Sequence, residues 1–477
     1  MPRFSEYFSL NLSQHQLDFV DVSNEYDTPV FVDPYAIEIR NDIWAEQASD
    51  YIRTFFTEVL SALRNEDDLR AHDLMSHLSE PQETFLGVSS GKPKGRGVGS
   101  VQAGQLISSI RSSKAYATGL LSDLSEMALY VEGVDRDKIS DLTTNIIRKL
   151  LVDYTQQQCG LYEIETSNYS GPPFWDNARK NWTSDYVDLP YINETPVLLV
   201  PKYIVRRRLC LDSQEFYNKQ ITDFLVAENL KANSSLVRTI KKGKERVVRK
   251  GDVRKEHPKS KYYIAEIVSE HPYLLDLLKE SAKSSSSLTR FSDEEMPSIH
   301  DVSRILIDSI QNTPAGREFA DQYHKLIVGA LTTLFYPDLI QPHKEWEIHS
   351  GRKRIDVVYT NAADTGFFSH RRDDNNTQAN TVIVECKNYS KDIGNEELDQ
   401  LLGRFDNNRG KFGILTCRSI DNQKTLDKRC VDMASRSQGY IIALTDEDIL
   451  QMLDAKYNLR DDIIESIMHS KFRKLLE

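Results

Sequence analysis

From residue 301 to about residue 455 the chain alternates helix-length amphipathic stretches with short, almost wholly apolar runs. A strand buried on both faces reads as such a run, and a helix that covers it repeats its apolar residues every three to four positions. The alternation therefore restricts this segment to an α/β fold, one sheet flanked by helices. The expected order begins with a helix from about Thr313 to Leu334, with Pro314 in its first turn, where a missing N–H costs nothing. Strands follow at 344–348, 353–360 and 381–387, then a helix at 395–407, a strand at 411–417, a helix at 422–437 and a strand at 440–445.

At 477 residues the chain is too long for a single core. We expect a large mixed α/β N-terminal region over 1–280, of one or two subdomains, that recognises or regulates. A Ser-rich linker at 281–300 and a C-terminal domain at 301–477 follow. In the N-terminal region, residues 14–40 read as one or two strands ended by a proline turn. Residues 43–64 read as an amphipathic helix with Trp44, Ala48, Ile52, Phe55, Val59 and Leu63 on one stripe. Residues 101–130 and 135–155 have helical periodicity, 196–201 reads as a strand between prolines, and 213–242 reads as helical. Trp175 and Trp182 serve either as a recognition surface or as anchors for their loop.

Sixty Lys and Arg against 72 Asp and Glu give a net charge of −12, which argues against a blanket nucleic-acid coat. Residues 241–261 run the other way: ten Lys and Arg against three acids, a net +7. Lys241, Lys242, Lys244, Arg246, Arg249 and Lys250 are the candidate nucleic-acid contacts there. The glycines at 87–99 do not make a phosphate loop. Only three residues separate Gly87 from Gly91, and Pro93 stands where a Ser or Thr would bind magnesium. Five cysteines without a CxxC pair suit neither a disulfide framework nor a zinc ribbon. With no signal-like apolar start and no run long enough to cross a bilayer, a cytoplasmic location without membrane contact is expected.

The chemistry concentrates in Arg354-Ile355-Asp356-Val357-Val358 and, 29 residues on, Val382-Ile383-Val384-Glu385-Cys386-Lys387. Side chains alternate along a strand, so Glu385 and Lys387 share one face and Cys386 faces the other. An acid and an amine ending a wholly apolar run contribute nothing to packing. If Asp356 ends the neighbouring strand, two carboxylates meet beside a lysine, a set that suits Mg²⁺ and phosphoryl chemistry. The lysine would orient the attacking water and offset charge in the transition state. The plain alternative is a surface ion pair with Asp356 as a strand-end cap.

Asp356 followed by Glu385-Cys386-Lys387 resembles the motif of the PD-(D/E)XK, restriction-endonuclease-like nuclease superfamily, in its Mrr-type flavour. The order of helix, strands, helix and strand is similar too, over roughly a third of the chain. One position departs from the pattern: residue 355 is Ile, not Pro. The resemblance implies a mixed sheet flanked by helices and hydrolysis of phosphodiester bonds, taken as those of DNA, to 5′-phosphate and 3′-hydroxyl ends. It implies Mg²⁺, with Mn²⁺ as substitute, held by Asp356, Glu385 and Glu318. Lys387 would position the water, and Gln400 on the following helix would assist. The polar insertion at about 361–380, with Arg371 and Arg372, would face DNA. Bacterial restriction or anti-phage defence is the implied setting, with the N-terminal region as gate and a homo-oligomer cutting both strands. The alternative keeps the fold without the chemistry: a nucleic-acid-binding or assembly subunit beside a helicase or ATPase partner.

Overall fold

The computed structural model describes residues 2–88, 100–240, 245–284, 297–344, 357–389, 393–436 and 438–476. Its C-terminal part is a five-stranded mixed sheet flanked by helices. Helix α1 (Ile299–Asn312) and helix α2 (Ala320–Phe335) precede strands β1 (Leu339–His343) and β2 (Val357–Asn361). Helix α3 (Gly366–Asp373), β3 (Thr381–Lys387), α4 (Asn395–Leu402) and β4 (Phe412–Cys417) follow. The chain then forms α5 (Gln423–Ser435), β5 (Tyr440–Thr445), α6 (Asp446–Tyr457) and α7 (Asp461–Arg473). Strand order is β1-β2-β3-β4-β5, with β1, β2 and β3 antiparallel in turn and β3, β4 and β5 parallel. The central strand is the apolar run with the terminal Glu-Cys-Lys. Val382, Ile383 and Val384 are buried because helices and neighbouring strands cover both faces.

Several elements differ from the sequence reading. Pro314 is not in the first turn of a helix. The chain turns at Gly316, whose φ of +128° no L residue adopts readily, and α2 starts only at Ala320, after a short 3-10 turn over Arg317–Phe319. The edge strand spans 339–343, a strand that the sequence reading did not expect. Pro342 disguised it, and a bulge between Ile340 and His343, with Gln341 at φ +53°, accommodates that proline. Of the expected strand at 353–360, residues 357–360 are strand and 353–356 lie outside the described residues, as do 345–348. Within the insertion at 361–380, residues 366–373 form helix α3.

The N-terminal part is mostly helical, with two-stranded sheets between the helices. The amphipathic helix spans Ile43–Arg64, as its stripe implies. Pro34 starts a helix, Pro34–Glu38, because Asp33 caps it by accepting from the Tyr35 and Ala36 amides. Residues 197–200 are buried but not in a strand; Leu198 donates to the Glu83 carbonyl instead. The expected helix at 213–242 ends at Ala232, where Asn233 turns left-handed, and Arg238–Ile240 pairs as a strand with Glu245–Val247. Trp175 and Trp182 are anchors: Trp175 is buried edge-on against Phe55, and Trp182 Nε1 donates to the Leu74 carbonyl.

The two parts meet at β1. Gln158 Nε2 donates to the Pro342 carbonyl at 2.9 Å, and Gln341 Nε2 donates to the Tyr203 hydroxyl at 2.5 Å. The helix Tyr273–Ser284 occupies the start of the expected linker, and residues 285–296 lie outside the described residues.

Candidate active site at the end of the central strand

β3 carries its site residues at its carboxyl end. Val357 and Val384, the immediate chain neighbours of Asp356 and Glu385, are antiparallel partners across β2 and β3. On the other side the ladder runs on, with Glu385 paired to Leu415 and Lys387 to Cys417 of β4. Glu385 is 1% exposed. A carboxylate that deep destabilises the fold by several kcal/mol unless cations and donors compensate it. Two cations do so here, one on each oxygen. Lys387 Nζ lies 2.5 Å from Oε1, and the Arg404 guanidinium hydrogen-bonds Oε2. Lys387 reaches Oε1 because residues two apart on a strand share a face.

Glu318 lies in the exposed turn before α2. That turn is tied to the residue after Lys387: Gly316 N–H donates to the Asn388 carbonyl at 3.0 Å. Asn388 Nδ2 in turn donates to the Pro314 and Gly316 carbonyls at 3.1 and 2.9 Å. The fold thus brings the Glu318 turn to the end of β3, without a contact between Glu318 and Glu385. Gln400 is half-buried on α4, four residues before Arg404. Cys386 is partly buried on the opposite face and packs against the core. Asp356 lies outside the described residues. Among those described, no group of three or more His, Cys, Asp or Glu side chains stands ready to hold a metal ion.

Three residues near the site were missed in the sequence: Arg404, Asn388 and His324. The available signal for Arg404 was its i+4 spacing from Gln400. His324, on α2, encloses its Nε2 with no hydrogen-bond partner. Burial pushes its imidazole down to about 4, Lys344 adds to the effect, and Asp321, Glu385 and Glu163 oppose it. Its ring is therefore neutral at pH 7.

Lys241, Lys242 and Lys244 lie outside the described residues. Arg246 donates to the Asn233 side chain at 2.7 Å, Lys250 pairs with Asp223, and Arg249 is exposed. Arg371 is a correction. Its guanidinium stacks 3.8 Å from the Phe472 ring and pairs with Asp374 at 3.3 Å, so it packs α3 onto α7 and does not face outward to DNA. Arg372 pairs with Asp373 at 3.2 Å, its side chain only 17% exposed.

No two of the five cysteines form a disulfide. Among the described residues no helix is long and apolar enough to cross a membrane. No curated protein and no solved structure matches the chain. A family model described as a domain of unknown function (DUF8370) matches residues 9–212, a span that lies within the N-terminal part and stops well short of β3.

Proposed function

We propose that the chain is a metal-dependent endonuclease that hydrolyses phosphodiester bonds of DNA, with a PD-(D/E)XK-like C-terminal domain. The observation that carries the reading is Glu385: a carboxylate 1% exposed, at the end of the central strand, ion-paired to Lys387 two residues on. A surface ion pair, the plain alternative, does not sit at that depth. The strand order supports the reading as well, since an antiparallel β1-β2-β3 unit followed by a helix and the parallel β4 resembles that superfamily's order.

The donors fit a hard divalent cation. Glu385, Asp356 and Glu318 offer only oxygen, the donor type such an ion prefers. Magnesium or manganese, when bound by these residues, would polarise the scissile phosphate and stabilise its developing charge. Lys387 would orient the attacking water and offset charge on the phosphate oxygens. Gln400 would hold substrate or water from α4. The N-terminal part touches the sheet through Gln158 and Gln341, which gives it a route to gate the site, as a restriction or anti-phage nuclease requires.

Plasmid cleavage with Mg²⁺ or Mn²⁺, blocked by EDTA and by Asp356→Ala and Lys387→Ala, tests the proposal. Equal nicking by wild type and both variants would overturn it. One observation favours a second reading, a non-catalytic binding subunit beside a helicase or ATPase. A glutamate held at both oxygens by Lys387 and Arg404 is also a stable structural pair. The same assay separates the two, because that subunit binds DNA and leaves it intact.

A further inference from the structure

We propose that the joint between the N-terminal part and the sheet is built to open, with Lys202 as its release; the inference stands whatever reaction the sheet domain performs. The N-terminal part reaches the sheet domain on α2 and on β1. Gly329 of α2 leaves room for Leu12 and Gln16, and a Cβ there would meet Gln16 Nε2 at 3.1 Å. On β1 the backbone of Gln341, left-handed at φ +53°, hydrogen-bonds the buried Asp18 carboxyl, and Tyr154 donates to Asp18 Oδ2 at 2.8 Å. Lys202 lies in the same joint, 8% exposed. Its backbone N–H donates to the Asp18 carbonyl at 2.9 Å, and its ammonium lies 4.0 Å from the centre of the Tyr336 ring, just before β1.

A charge this deep needs a counter-charge or good hydrogen bonds. Lys202 has neither. Its Nζ donates to the Gln14 and His15 carbonyls at 3.4 Å each, longer than the usual range, and among the described residues it makes no ion pair. The titratable and charged groups around Lys202 and Asp18 include His15, Arg40, Tyr154, Tyr203 and Tyr336. Burial pulls the Lys202 pKa down to about 8 against the opposing pull of Asp18, so at pH 7 the ammonium is still charged. Opening the joint returns that charge to water and recovers part of what its burial costs, whereas an apolar side chain would gain nothing by opening. Two further contacts across the joint are hydrogen bonds, Gln158 to Pro342 and Gln341 to Tyr203, the polar kind that suits parts that move.

The test is hydrogen exchange of the full chain at pH 7, read by mass spectrometry, for wild type, Lys202→Met, the double variant Asp18→Asn with Lys202→Met, and Lys202→Arg. The reporter is β1, residues 339–343, which the joint covers; β4, residues 412–417, is the control inside the sheet. Exchange of 339–343 should slow about tenfold or more in both Met variants, the scale of replacing a buried charged pair by apolar groups, with 412–417 unchanged. Lys202→Arg keeps the charge and should exchange no slower than wild type. Slowing in the double variant alone upholds the proposal and makes Asp18 part of the release. Equal slowing of both segments is a general gain in stability and overturns the release. Unchanged or faster exchange of 339–343 in both Met variants, or failure of both to fold, makes Lys202 an anchor of the joint and overturns it as well.

Discussion

Two buried arginine–glutamate pairs, one in each part of the molecule, use the same chemistry in different settings. In the N-terminal part Arg148 and Glu83 lie with 1% and 5% of their side chains exposed; in the sheet Arg404 and Glu385 lie with 4% and 2% exposed. Glu83 is held from several directions. Arg148 donates to both its oxygens, at 2.6 and 3.3 Å, Tyr169 donates to Oε1 at 2.5 Å, and its carbonyl receives the Leu198 N–H. Burial alone would raise its pKa, yet Arg148 and the hydrogen bonds hold its carboxyl below the usual range. Glu385 instead shares itself between two separate cations at a strand end. A bidentate arginine supplemented by a tyrosine makes a fixed joint, whereas a carboxylate divided between cations from two elements can exchange one of them. That difference separates a structural pair from a site.

The largest effect expected on either side is catalytic. Lys387→Ala should lower plasmid cleavage at least about a hundredfold, the range for loss of a group that handles a proton or developing charge. Its unfolding midpoint should move little, because Arg404 still holds Glu385. A variant that unfolds but cuts at the wild-type rate per folded molecule would make this second pair structural as well.

Stability sharpens the contrast next. Arg148→Met strips Glu83 of the cation that pairs with it and should cost about 3–5 kcal/mol in urea unfolding, the range for breaking a buried pair. Arg404→Met should cost clearly less, since Lys387 remains on Oε1. Equal losses would mean that Lys387 contributes nothing to holding the carboxylate.

The pH dependence of stability is a smaller effect with a defined window. The His324 ring has an ordinary value of 6.5 and a folded value of about 4. Between those values the unfolded chain binds more protons, so stability rises with pH there. The contribution is intact above pH 6.5 and is lost as pH falls toward 4. Urea midpoints from pH 4.5 to 7 should therefore slope upward in the wild type and flatten in His324→Gln. Glu83, held low, loses its contribution only at more acid pH, below the carboxylate range.

The same contrast explains what was legible in the sequence. β3, β4 and β5 match their expected spans within a residue, because a strand buried on both faces must be continuously apolar whatever surrounds it. β1 was missed, since a proline and a bulge in an edge strand break the local pattern and only pairing reveals it. Glu385 and Lys387 were legible because they are neighbours on one strand. Arg404 and His324 reach the same place from helical segments, and Asn388 acts through the backbone of a distant turn, so each depends on tertiary packing. The run at 241–261 was legible as composition, but composition does not say which way each side chain points. Lys261, counted in its charge, is turned inward and caps the Val131 carbonyl at 2.8 Å.

On that basic surface the rule drawn from the buried pairs has its weakest and most easily broken form: a cation already partnered adds little to a new ligand. Lys250 is paired with Asp223, whereas Arg249, its chain neighbour, is exposed at the start of the helix Lys250–Glu256. Each phosphate neutralised contributes a salt-dependent share of DNA affinity, so reversal of a contacting cation should flatten the slope of log affinity against log salt by about one unit. Arg249→Glu should do so and weaken binding several-fold. Lys250→Glu should do less, because Asp223 already offsets that charge. Fluorescence anisotropy of a labelled duplex across a salt series measures both. Equal flattening would mean that Asp223 releases Lys250 when DNA binds, and the distinction between partnered and open cations would not extend to the surface. No flattening in either variant would assign the run to solvent and place DNA binding elsewhere on the molecule.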